Sequence, residues 1–102
     1  MTDARETPLR ELVQVRREEI KAIVASHHGR SVALFGSAAR GDDQPGSDLD
    51  FLVEFEPGTR PFELLLLGAE LEAALGVQVD VGTHGTLRDG LRDEVLAEAV
   101  PL

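Results

Sequence analysis

Two aspartates one residue apart, Asp48 and Asp50, open an apolar run that continues through Leu49, Phe51, Leu52 and Val53. Successive side chains of a strand alternate faces, so the two carboxylates share one face while Leu49, Phe51 and Val53 take the other. Neighbouring carboxylates repel and raise each other's pKa unless positive charge lies between them. A hard divalent cation that prefers oxygen ligands, such as Mg²⁺, answers that need. Upstream, the apolar run Val32 to Phe35 ends in Gly36-Ser37. A glycine at a strand end lets backbone approach a ligand closely, and Ala38-Ala39-Arg40 reads as a short helix behind it. Free N–H groups at that helix start, with the Ser37 hydroxyl, favour an anion such as a phosphate. A phosphate cradle and a metal-binding carboxylate pair, one loop apart, describe a nucleotide–Mg²⁺ site. Taken singly, Gly36 reads equally well as a turn residue and the aspartates as solvated charges. Their combination in two strand contexts carries the functional reading.

Composition narrows the class. At 102 residues with 42% hydrophobic content, the chain reads as one small globular domain with a single modest core. It has no cysteine, which excludes disulfides and thiolate metal sites and is compatible with a reducing cytoplasm, the expected location. No apolar run approaches the roughly 20 residues a membrane helix needs, and the N-terminus lacks a signal-peptide pattern. The net charge is −9, from 10 basic and 19 acidic residues, and the only aromatics are four phenylalanines. That argues against direct nucleic-acid binding, which needs basic stripes and often stacking rings. A basic protein partner would be steered toward such a surface; for most of these residues, solubility explains the acidity equally well.

The elements that position these residues follow from hydrophobic spacing. Residues 8 to 28 read as a helix, with Thr7 as cap, Pro8 in the first turn, Leu9, Leu12, Val13, Ile20, Ile23 and Val24 on one face, and Gly29 as the stop. His27 and His28 are assigned to the helix C-terminus rather than to a metal. Strands are expected at 31–35, 49–55 and 77–81, the last placing Asp80 on the polar side of Val77, Val79 and Val81. Gly41, Pro45, Gly46 and Ser47 supply turn chemistry between the first two strands, with Asp42 and Asp43 as solvated loop charges. A helix over 62–75, closed by Gly76, carries four consecutive leucines assigned to the core, with a partner face as the alternative. A last helix is expected over 87–100, and His84 before it receives no role. The result is a single α/β domain with a small mixed sheet flanked by helices.

Gly36-Ser37, ten residues, then Asp48-x-Asp50 resembles the GS-x10-DxD signature of the nucleotidyltransferase superfamily that includes DNA polymerase beta. The whole chain looks like its smallest branch, the minimal nucleotidyltransferases (MNT domains). The matching segments are Leu34-Phe-Gly-Ser, Ala39-Arg-Gly, Ser47-Asp-Leu-Asp-Phe-Leu-Val and the closing Leu96 to Leu102. The resemblance implies the nucleotidyltransferase fold over 1–102, without the helical acceptor domain of larger members. It implies that Gly36 and Ser37 hold the phosphates of ATP, and that Asp48, Asp50 and Asp80 bind Mg²⁺, with Asp80 helping to activate the attacking hydroxyl. Ala38 departs from the pattern, because many relatives carry arginine there. Arg40 either takes over that phosphate contact or is an ordinary loop cation.

MNT domains of this type resemble the antitoxin half of a two-gene system whose other half is a HEPN-domain ribonuclease toxin. The implied function is transfer of AMP from Mg²⁺–ATP to a hydroxyl of that toxin, in a complex with it. The alternative is a non-catalytic antitoxin that neutralises its partner by binding. A small-molecule nucleotidyltransferase is disfavoured by the missing acceptor domain. An Asp-x-Asp phosphatase is disfavoured because its carboxylates follow an apolar strand, whereas these begin one.

Overall fold

The computed structural model describes residues 9–41, 44, 46–83 and 97–102. Its elements in chain order are α1 (Leu9–Val15), α2 (Arg17–Ser26), β1 (Gly29–Phe35), α3 (Ser37–Arg40), β2 (Leu49–Phe55), α4 (Phe62–Leu75), β3 (Val79–Gly82) and β4 (Val100–Pro101). The strands form one mixed sheet in the order β3-β2-β1-β4. β2 pairs antiparallel with β1 and parallel with β3, and α4 is the crossover the parallel pair requires. This is the α/β arrangement that the spacing of apolar residues predicts. Among the described residues, no helix is long and apolar enough to cross a membrane.

β2 is the most buried strand, lying inside the sheet between β1 and β3. Leu49, Phe51 and Val53 enter the core with Val32 and Leu34 of β1, Ile20 and Val24 of α2, and Leu67, Leu71 and Leu75 of α4. Each such side chain contributes about 1.5–3 kcal/mol relative to exposure. By the two-residue period, Asp50 and the buried Leu52 lie on the opposite face of the sheet. Val79 and Val81 of β3 pack against the core, so Asp80 shares the face of Asp50.

The structure corrects the expected helices in four places. The first helix is two helices, bent at Arg16 (φ −99°, ψ 14°); hydrogen bonds from Arg16 N–H to Leu12 O and from Ile20 N–H to Arg16 O run on through the bend. No proline or glycine marks the site, so periodicity alone reads straight through it. The helix ends at His27, with His28 in the left-handed region (φ 70°), and Gly29 starts β1 rather than stopping a helix. A Cβ on Gly29 would collide with Val24 and lie 2.9 Å from its carbonyl, so glycine lets β1 close onto α2. Val100, expected at the end of a helix, pairs instead with Leu34 in β4. Pro101 beside it fits an edge strand, where a missing N–H is harmless. Of the four leucines, Leu67 is buried, whereas Leu65 and Leu66 face outward. The Thr7 cap, Pro8, Asp42, Asp43, Pro45, His84 and the apolar positions expected from Leu87 to Leu96 lie outside the described residues.

Candidate active site

The site is built where β1 ends. After Phe35 the chain turns through Gly36 (φ 78°, ψ −157°), a region essentially reserved for glycine, and enters the four-residue α3 at Ser37. The antiparallel register sets Phe35 opposite Asp50, which brings Gly36 against the Asp50 side chain. A Cβ on Gly36 would collide with the Asp50 carboxylate and lie 3.1 Å from its Cγ. Glycine is therefore required twice here, for its torsion angles and for the space beside a carboxylate.

The parallel register sets Asp50 beside Asp80, and the pairing is extended toward Asp48 by a 2.9 Å bond from Leu49 N–H to Gln78 O. Three predicted carboxylates thus lie at the same end of two adjacent strands. Asp50 bears the consequence: its pKa rises from 3.8 to about 6, first through burial, then through the negative charges of Asp80 and Asp48. The positive charge of Arg40 opposes that shift through space. Its Nη1 also donates to Glu98 Oε2 at 3.2 Å, tying α3 to the closing segment. Asp80 is exposed, while Asp48, Ser37 and Gly36 are half-buried. Ala38 is fully buried in the core, where an arginine has no outlet, whereas Arg40 stands at the surface beside the acids.

All six sequence-predicted residues, Gly36, Ser37, Arg40, Asp48, Asp50 and Asp80, therefore lie around the β1–α3 turn and the adjoining ends of β2 and β3. The donor set Asp48, Asp50 and Asp80 is all oxygen, and Asp50 carries unbalanced negative charge; both suit a hard cation such as Mg²⁺. Among the described residues, no three such side chains already converge on a common ion position. Sequence reasoning missed Glu98, since nothing in the spacing links residue 98 to residue 40. It also missed the partners of His27, whose Nδ1 and Nε2 lie 3.0 Å from Glu63 and 2.7 Å from Glu70 of α4.

The family model described as "Nucleotidyltransferase domain" matches residues 17–102. The chain is 39% identical over 84 residues to a Methanocaldococcus jannaschii protein described as a candidate protein adenylyltransferase, covering 82% of this chain and 90% of that protein. It is 35% identical over 91 residues to protein adenylyltransferase MntA of Thermococcus cleftensis, covering 81% and 92%. Among solved structures, a candidate minimal nucleotidyltransferase superposes with TM-score 0.81 at 42% identity, covering 91% of this chain and 95% of that one. A chain from a complex described as a tri-AMPylated Shewanella oneidensis HEPN toxin with an MNT antitoxin shares the fold, with TM-score 0.66 at 19% identity and coverage of 86% and 69%.

Proposed function

This chain belongs to the nucleotidyltransferase domain family, and on that premise we propose that residues 1–102 form a single minimal nucleotidyltransferase domain that transfers AMP from Mg²⁺–ATP to a hydroxyl of a partner protein. The partner we propose is a HEPN-domain ribonuclease toxin, which the modification silences. The observation that carries the reading is the packing of Gly36 against Asp50, with Asp80 in register beside it: a turn that admits only glycine abuts a cluster of carboxylates. The naming of two relatives as protein adenylyltransferases, each matched over nine-tenths or more of its length, supports the protein acceptor.

In this reading the acceptor oxygen attacks the α-phosphorus of ATP. The bond from that phosphorus to the oxygen bridging the α- and β-phosphates breaks, pyrophosphate leaves, and AMP stays on the acceptor. Asp80, exposed at the rim, accepts the hydroxyl proton. Gly36 and Ser37 lie along the phosphates, and Arg40 adds positive charge on the same side. Asp48, Asp50 and Asp80 would hold Mg²⁺, which when bound supplies charge stabilisation for the attacking and leaving oxygens. New negative charge near an RNA-binding surface on the toxin would repel the phosphates that must dock there.

The deciding experiment incubates a purified HEPN-domain partner with this protein, ATP and Mg²⁺, then measures partner mass and RNA cleavage. The expected result is an adenylyl mass increase together with lost cleavage. Inhibition without that increase, retained when Asp48 and Asp50 are both Asn, would assign neutralisation to binding alone.

A further inference from the structure

α4 carries more apolar surface than the core uses. Phe62, Leu65 and Leu66 are 49%, 73% and 49% exposed, and Ala69 and Ala73 beside them are exposed too. At helical spacing these five residues fall within about 100° of arc, opposite Leu67, Leu71 and Leu75 in the core. The stripe runs most of the helix, with Glu70 along one border and Glu72 along the other. At its first turn Phe62 forms part of the wall of a cleft of about 330 Å³, shared with His28 and the 56–60 loop. α4 contains three glutamates and no lysine or arginine.

We propose that the outer face of α4 is the docking surface for the acceptor protein, and that it receives an amphipathic helix whose apolar ridge is flanked by lysine or arginine. The stripe supplies the apolar contact of a helix laid along a helix, and Phe62 with its cleft supplies an anchor point. Charge selects the occupant. Glu70 meets His27 yet keeps 51% of its side chain exposed, and Glu72, which accepts a hydrogen bond from Val79 N–H, is exposed as well. Both borders therefore favour a basic flank, whereas a second copy of this chain would set its own glutamates against them in a chain of net charge −9.

The placement has a mechanistic corollary. α4 covers the sheet face that takes Leu49, Phe51 and Val53, while Asp50 and Asp80 lie on the other face. Docking and chemistry therefore engage opposite faces of the sheet. Substitutions on α4 then affect how tightly the acceptor is held, not ATP binding or turnover of the bound acceptor.

The inference rests on the reading that this chain acts on a protein, and the two fail separately. The test compares wild type, the triple variant Phe62→Ser, Leu65→Ser, Leu66→Ser, and the single variant Ala69→Arg, using a purified HEPN-domain partner and, in separate titrations, Mg²⁺–ATP. The single variant sits on an exposed helical position and keeps the test valid where the triple variant does not fold. Expected is a partner Kd and KM raised roughly tenfold or more, with ATP affinity and kcat unchanged. A partner that binds wild type through α4 but gains no AMP would uphold docking and overturn the transfer reading. Unchanged partner Kd and KM in the variants would overturn docking while leaving transfer intact. A dimer of the free chain that the same substitutions abolish would give the face to a second copy and also overturn the proposal.

Discussion

Asp50 is held against its own electrostatic interest. Burial and two acidic neighbours raise its pKa to about 6, so its ionised form is less favourable in the folded protein than in the unfolded chain. The sign follows directly: a raised pKa contributes relative stability at low pH that is lost as pH climbs from 3.8 through about 6. In metal-free protein, Asp50→Asn is expected to remove that loss, raising stability at pH 7.5 by about 1–3 kcal/mol while abolishing Mg²⁺-dependent ATP binding. Denaturant unfolding across pH, with calorimetry, checks both halves. Gly36→Ala should do the reverse and damage fold and function together, since alanine meets both the Asp50 carboxylate and a torsion that costs about 1–3 kcal/mol. A wild-type melting temperature in that variant would contradict the geometry. Asp80→Asn separates chemistry from binding: transfer is expected to slow by about 10²-fold while ATP affinity changes little, measured by single-turnover mass analysis.

Between elements, the contact least visible in advance is His27. Both its ring nitrogens face carboxylates of α4, and its pKa is raised chiefly by the Glu63 contact and then by Glu70, against the opposing effect of burial. Only the doubly protonated ring can donate to both carboxylates at once. Stability from this clamp is fully present below pH 6.5 and is lost as pH rises through the higher folded value. His27→Gln should flatten the stability profile in that window, as thermal melts from pH 6 upward would show. The sequence carried the elements well where polar and apolar residues alternate at a fixed period, as in β2 and α4, whereas the strand expected over 77–81 runs over Val79–Gly82. It failed where long-range pairing decides: Val100 joins β1 because Leu34 lies opposite, and His27 turns to α4 because two glutamates meet it there. The candidate site was legible because its members are tied to strand ends at fixed spacing. Glu98 was not, since only the folded chain brings it to Arg40.

At the scale of the whole molecule, an acidic surface and an acidic helix face act in the same direction. Association with a basic acceptor is expected to be fast at low ionic strength and to slow steadily with added salt, because the Debye length shrinks from ~30 Å at 0.01 M to ~8 Å at 0.15 M. Stopped-flow association rates that ignore salt would contradict steering by the net charge of −9.

The parallel pairing of β2 with β3 also bears on the order of events expected during folding. The β1–β2 pair is antiparallel and closer in sequence, whereas Asp50 and Asp80 are neighbours across the intervening α4. Loop closure makes that pairing slower than zipping the nearer one. The core strand pair is therefore expected to form before the carboxylate cluster, and pulse-labelling hydrogen exchange that finds β3 protected as early as β1 would contradict that order.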